Sequence, residues 1–189
     1  MQVTRRIVRF ACLFALSWNA VPVVTASGAE DLSVVVRAQE SGFEIEARAT
    51  LDVPVELVWR TLTDYGRLAQ FIPGLDSSRV VGREGSTALV EQHGRAGYWF
   101  LTWPIDVTLA STERPPNAID VRLVRGNLRR LAGGYRLSVA DGRVVLAWRG
   151  IVEPAFRLPR FIEERVISTN VTTQFKGMVD EIERRHGLH

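Results

Sequence analysis

Acid–base chemistry needs a carboxylate and an imidazole within reach of each other, and one stretch supplies both. Glu91 and His93 lie two residues apart, with Asp106 on a neighbouring apolar segment. Residues i and i+2 of a strand share a face, so Glu91 and His93 form a geometrically sound pair. The plainer reading, and the preferred one, is a polar strand end beside the turn at Gly94. The other two histidines, His186 and His189, sit at the C-terminus. No nucleophile elbow, His-Glu-x-x-His, phosphate-binding loop or Gly-x-Gly-x-x-Gly occurs, so hydrolase, zinc-protease and nucleotide roles have no motif behind them. No His/Cys group has metal-ligand spacing, and neither metal nor cofactor is expected.

The apolar residues are better stocked. Trp99 and Trp103 fall on one strand face. With Phe71, Tyr135, Trp148, Phe161 and Phe175 from other segments they form a candidate lining for a flat or chain-like hydrophobe. Each alone reads as ordinary core; the group reads as a cavity. Ser168, Thr172 and Gln174 flank the apolar stripe of the last helix and offer small or polar contacts to a ligand head group. Arg125, Arg129 and Arg130 cluster around Gly126. They are either a clamp for an anionic or carbonyl-bearing head group or lipid phosphates, or a solvated face balanced by Glu163, Glu164, Asp180, Glu181 and Glu183.

These residues need elements to position them. From Pro159 to Arg185, Ile167, Val171, Phe175, Met178 and Ile182 recur in steps of four, four, three and four, the period of an amphipathic helix. At ~1.5 Å per residue it runs to about 40 Å, enough to cross a small domain. Gly42–Leu51 alternates apolar and polar residues as a half-buried strand does. Pro54 and the Thr63-Asp64 pair start two short helices, and Pro73-Gly74 ends the second. Five strand candidates follow: 77–83, 86–93, 98–109 with an apolar face from Trp99 to Leu109, and 128–139 and 143–153 joined at Asp141-Gly142. Ile119, Val121 and Leu123 extend the alternation after a Pro115-Pro116-Asn117 turn. The order predicts an α+β fold in which a bent antiparallel sheet grips the last helix. A closed barrel with an external helix is the alternative.

The N-terminus reads separately. A basic start (Arg5, Arg6, Arg9), an apolar core from Phe10 to Val24 and small residues around Ala26 and Ala29 have the layout of a secretory signal peptide. An uncleaved anchor is the alternative. Residues 1–29 are therefore expected to be a signal peptide, 30–41 a linker and 42–189 one domain. Three of the 24 Lys and Arg precede Glu30 and none of the 21 Asp and Glu do, leaving 21 against 21. The sequence pI of 9.6 thus reflects the leader, and nothing supports a nucleic-acid partner. The one cysteine, Cys12, lies in the leader, so disulfide and thiolate chemistry are excluded from the mature chain.

Several passages resemble START-like proteins, and within them the polyketide cyclase/coenzyme-Q-binding branch. They are Val53-Pro54, Val58-Trp59, Leu62-Thr63-Asp64-Tyr65, Phe71-Ile72-Pro73-Gly74, Ser77-Ser78-Arg79-Val80-Val81, Leu123 to Arg129, and Gly133-Gly134-Tyr135-Arg136-Leu137. The resemblance implies a helix-grip fold with an elongated apolar cavity between sheet and helix. The expectation is an exported domain, periplasmic in a Gram-negative source, that binds a lipid, quinone or polyketide-like compound with transient membrane contact. Two alternatives stay open. One is a cyclase/dehydratase-type enzyme using Glu91, His93 or Asp106 inside the cavity; the other is an envelope interaction module whose cavity is filled.

Overall fold

A computed structural model describes residues 30–98, 101–155 and 160–187. Its strands are β1 (Glu30–Ala38), β2 (Phe43–Leu51), β3 (Leu75–Glu84), β4 (Thr87–Tyr98), β5 (Leu101–Arg114), β6 (Ala118–Gly126), β7 (Leu128–Ala140) and β8 (Arg143–Pro154). Between β2 and β3 lie α1 (Val55–Leu62) and a 3-10 helix (Tyr65–Gln70); α2 (Arg160–His186) ends the chain. All eight strands join one sheet in the order β1-β2-β8-β7-β6-β5-β4-β3, and every neighbouring pair is antiparallel. This is the helix-grip architecture, with Ile119–Leu123 inside a strand of its own. The expected leader, residues 1–29, lies outside the described residues.

The linker expected at 30–41 is corrected. Residues 30–38 are a strand paired along β2, from Glu30 opposite Thr50 to Ala38 opposite Phe43. Leu32, Val34 and Val36 pack inward while Ser33, Val35 and Arg37 face solvent. That is a period-2 pattern, and pairing supplies the backbone partners that a solvated linker would take from water. Two short helices do follow the strand at Gly42–Leu51, but that strand is the second.

Sheet curvature has local causes. The β5–β6 register slips between Thr108 and Leu109, and β3–β4 slips between Val80 and Gly82, each a bulge that sharpens the twist. The β7–β8 hairpin turns through Asp141 and Gly142 with φ of 51° and 76°, the left-handed pair that matches strand twist. β2 lays Phe43, Ile45, Ala47, Ala49 and Leu51 on the concave face, all 3% exposed or less.

α2 lies in the trough. Ile167, Phe175, Met178 and Ile182 of the predicted stripe are buried, and Val171 is half-buried. Val166 and Val179, off that stripe, are also at 1% exposure or less, so the covered face is wider than one seam. The extra coverage has a visible cause. The Asn170 amide accepts from the Gly97 N–H at 3.3 Å and donates to the Gly97 carbonyl at 2.8 Å, pinning the helix to the end of β4. Further along, a Cβ at Gly177 would sit 2.5 Å from Pro73 Cδ and 2.7 Å from the Phe71 carbonyl oxygen, so only glycine lets the 71–74 loop press this close.

The helix C-terminus is tied down by charge. Arg184 and Arg185 donate to Glu181 at 2.6–2.8 Å, Arg185 also donates to Asp64 at 2.9 Å, and its guanidinium stacks 5.3 Å from the Phe71 ring centre. The two guanidinium groups, Arg184 first, hold the Glu181 carboxyl down to about 2 against the burial that opposes them. A depressed carboxylate stabilises the fold above its unfolded value and loses that contribution as pH falls toward the folded one. Glu181→Gln is therefore expected to cost about 1.5–3 kcal/mol at pH 7. The gap from wild type should narrow from about pH 4.5 downward and close near pH 2, read by denaturant titration across pH.

Candidate functional site

α2 does not touch the whole trough. Its close backbone approaches are to β1 and β2 on one side, β4 on the other, and α1. Strands β5 to β8 stay further back, and the space between them and the helix is a cavity of about 270 Å³. Strand alternation decides its lining. On β5, Ile105, Val107, Leu109 and Ser111 face it; on β4, Val90, Gln92 and Gly94 do. From Ile105 to Ser111 at ~3.3 Å per residue, the cavity is about 20 Å long.

Burial distinguishes its two ends. Tyr65, Ser111, Ile119 and Met178 are each 6% exposed or less, so that end is closed. At the other end, Ile105, Leu128, Leu131, Val152 and Val171 are only half-buried, and the exposed Arg95 contributes to the rim with its guanidinium paired to Asp76 at 2.8 Å. The floor is aromatic. Tyr135 and Trp148 are register partners on β7 and β8, with ring centres 4.8 Å apart and planes at 57°. Loss of solvent pushes the Tyr135 hydroxyl up to about 12, so it stays neutral.

A glycine pair makes room for the indole. Gly133 and Gly150 face each other across β7 and β8. A Cβ at Gly133 would meet Trp148 Cζ2 at 2.9 Å and the Arg149 carbonyl oxygen at 2.5 Å; one at Gly150 would meet the same ring atom at 3.1 Å. The ring lies over bare backbone.

Of the expected lining, Tyr135, Trp148 and Phe175 are on the cavity wall, as is Gln174. Phe71 is not: it packs against the main core and under Arg185. Trp103 shares the face of Ile105 but is half-buried two residues outside the open end. Thr172 is exposed, and Ser168 is half-buried away from the lining. A 3.6-residue period rotates positions 168 and 172 off the stripe of 167, 171 and 175. Trp99 and the side chain of Phe161 lie outside the described residues.

The charged candidates fall on the other side of the sheet. Glu91, His93 and Asp106 alternate with Val90, Gln92, Ile105 and Val107, so none of them reaches the cavity. They do find each other: His93 Nδ1 is 2.7 Å from Asp106 and Nε2 is 3.4 Å from Glu91. Arg79 donates to Glu91 at 2.8 Å, and Arg125 bonds Glu91 at 3.4 Å and Thr108 at 3.1 Å. Arg125 is thus committed to the convex face, Arg129 pairs with Glu153 at 3.7 Å, and Arg130 is exposed. None of these three arginines lines the cavity; the cation on its rim is Arg95. Sequence reading missed Arg95, Tyr65, Gln92 and Ser111. The last two carried a signal, because they continue the alternations of Val90 and of Leu109.

Among the described residues, no group of His, Cys, Asp or Glu is placed to hold a metal. No described helix is long and apolar enough to cross a membrane.

A curved sheet closing over one long helix, with an aromatic-floored cavity between them, defines a START-like domain. The chain belongs to the polyketide cyclase/dehydrase and lipid transport family, whose model matches residues 51–176. Similar solved structures include the STAR-related lipid transfer protein from Xanthomonas axonopodis (16% identity, TM-score 0.63, 83% of this chain and 96% of that one). The Zhui aromatase/cyclase from Streptomyces sp. R1128 is also similar (18%, 0.61, 75% and 94%), as is human STARD10 (16%, 0.60, 84% and 74%). At these identities the likeness is one of fold. No curated protein matches the chain.

Two outcomes check this geometry. Gly133→Ala should push Trp148 into the cavity and cost about 1–3 kcal/mol, with a changed near-ultraviolet dichroism spectrum. The carboxylates beside His93, Asp106 first, raise its pKa above the usual 6.5. The stability they lend is present below that value and lost as pH rises through the raised one. An imidazole titration followed by NMR should show the raised midpoint, and Asp106→Asn should bring it back toward 6.5.

Proposed function

We propose that this protein is an exported carrier that binds a hydrophobic small molecule, of lipid, quinone or polyketide-like character, between its sheet and α2. The cavity itself carries the proposal. It is about 270 Å³, mostly apolar, closed at the Tyr65 end and open beside Arg95. Removing an apolar ligand from water against Trp148, Tyr135 and Phe175 supplies affinity at roughly 25 cal/mol per Å² buried. Lipid transfer and polyketide cyclisation, named for the family and its structural neighbours, both require a fold that sequesters such molecules. Export rests on the leader-like residues 1–29.

The described lining contains no carboxylate and no imidazole, and the Glu91–His93–Asp106 cluster is on the opposite face. That arrangement favours carriage over acid–base turnover. The open volume likewise argues against a module filled by its own side chains. Native mass spectrometry of protein purified from its own host tests both parts at once. The expected spectrum shows a chain cleaved near Ala26 or Ala29 with a non-covalent adduct that organic solvent extracts. A chain that is always empty and takes up neither lipids nor quinones would overturn the carrier reading.

A further inference from the structure

The closed end of the cavity is not apolar. Tyr65, carried in by the 3-10 helix, is 6% exposed, and Ser111, next after Leu109 on the same face of β5, is 4% exposed. Both line the cavity. The Tyr65 hydroxyl is the buried side-chain polar atom that has no hydrogen-bond partner among the described residues. Leaving such a group dry and unpaired is costly, so something must answer it. Burial first, and then the nearby Glu113 carboxylate, raise the Tyr65 pKa, so the group stays a neutral O–H donor. The Glu113 carboxylate and the Ser111 hydroxyl both lie against it and pull its pKa in opposite directions, without reaching full hydrogen-bond geometry, and Glu113 is engaged by Arg83 at 3.1 Å.

We infer that Tyr65 and Ser111 form a polar subsite at the blind end of the cavity, which selects apolar molecules carrying a carbonyl or hydroxyl oxygen at the end inserted first. The inference rests on the cavity-binding reading above and adds orientation and chemical class to it. The walls from Ile105 to Leu109 are apolar apart from the Gln92 and Gln174 amides, whereas the inner tip comes up to the Ser111 hydroxyl, which can donate or accept, with the buried Tyr65 hydroxyl beside it. A hydrocarbon of the same shape fills the same space and leaves the Tyr65 hydroxyl unanswered. Selection of this kind comes from the protein's own unpaired group, which penalises the ligand that lacks the oxygen. Arg95, about 20 Å away at the open end, plays no part in it.

A matched pair of probes reads this directly: 2-acetylnaphthalene and 2-ethylnaphthalene, which differ in one carbonyl oxygen. Each is titrated calorimetrically into the wild-type chain and into Tyr65→Phe. The ratio of affinities, acetyl over ethyl, is expected to fall by about five- to tenfold in the variant, through weaker acetyl binding with ethyl binding unchanged. An equal ratio in the two proteins overturns the subsite and leaves the carrier reading standing. Failure of both probes to bind either protein overturns both. The melting temperature of the ligand-free protein gives a second reading. It should stay level or rise in Tyr65→Phe, because the substitution deletes an unsatisfied group. A fall, or a variant that does not fold, would mean that the hydroxyl is already bonded within the protein, and would overturn the subsite.

Discussion

One helix has to seal a trough that is wider than itself. α2 can satisfy its apolar stripe only where backbone comes close, and that happens at β1 and β2 on one rim and at β4 on the other. The Asn170 clamp on Gly97 and the contact of Gly177 with the 71–74 loop hold it against those rims, while the Glu181–Arg185–Asp64 network anchors its C-terminus. With the rims engaged, the middle strands bow away, helped by the bulge beside Thr108. The cavity is what remains. It persists because filling it would pull the helix off a rim, and interiors this densely packed move as units.

Strand parity then divides labour between the two faces of the same strands. β4 and β5 place Val90, Gln92, Ile105 and Val107 toward the helix and Glu91, His93 and Asp106 toward solvent. The outer charges are knitted into a surface network with Arg79 and Arg125, of a kind that adds little stability in high dielectric. Its placement has a consequence for function. The groups best suited to proton transfer are separated from the bound molecule by the sheet, and the cavity keeps only neutral donors and one rim cation.

Legibility varied with the physics behind each element. The α2 stripe, the β2 alternation and the Asp141-Gly142 turn were readable because each rests on a short-range rule: 3.6 residues per turn, two per strand repeat, a positive-φ pair. In β1, Leu32, Val34 and Val36 alternate over too short a run to distinguish a strand from a linker, and only pairing along β2 decides it. The aromatic floor was half legible. Tyr135 and Trp148 meet because β7 and β8 pair in register, and that pairing follows from the hairpin. Phe71 and Trp103 were equally aromatic, yet one is spent under Arg185 and the other lies past the open end. Aromatic type alone cannot separate these fates.

What the sequence determined by itself was the list of elements, the fold family and the two faces of most strands, since all of these follow from local period and from motifs within a few residues. Which face looks at the helix, which end of the cavity is blind and which polar groups are stranded there depend on how residues far apart in the chain come together. Ser111 becomes a cavity residue because β5 is a middle strand held back from α2. Tyr65 loses its hydrogen-bond partners because the 3-10 helix packs its ring against that same end. Burial is a property of the assembled surface, and no window along the chain contains it.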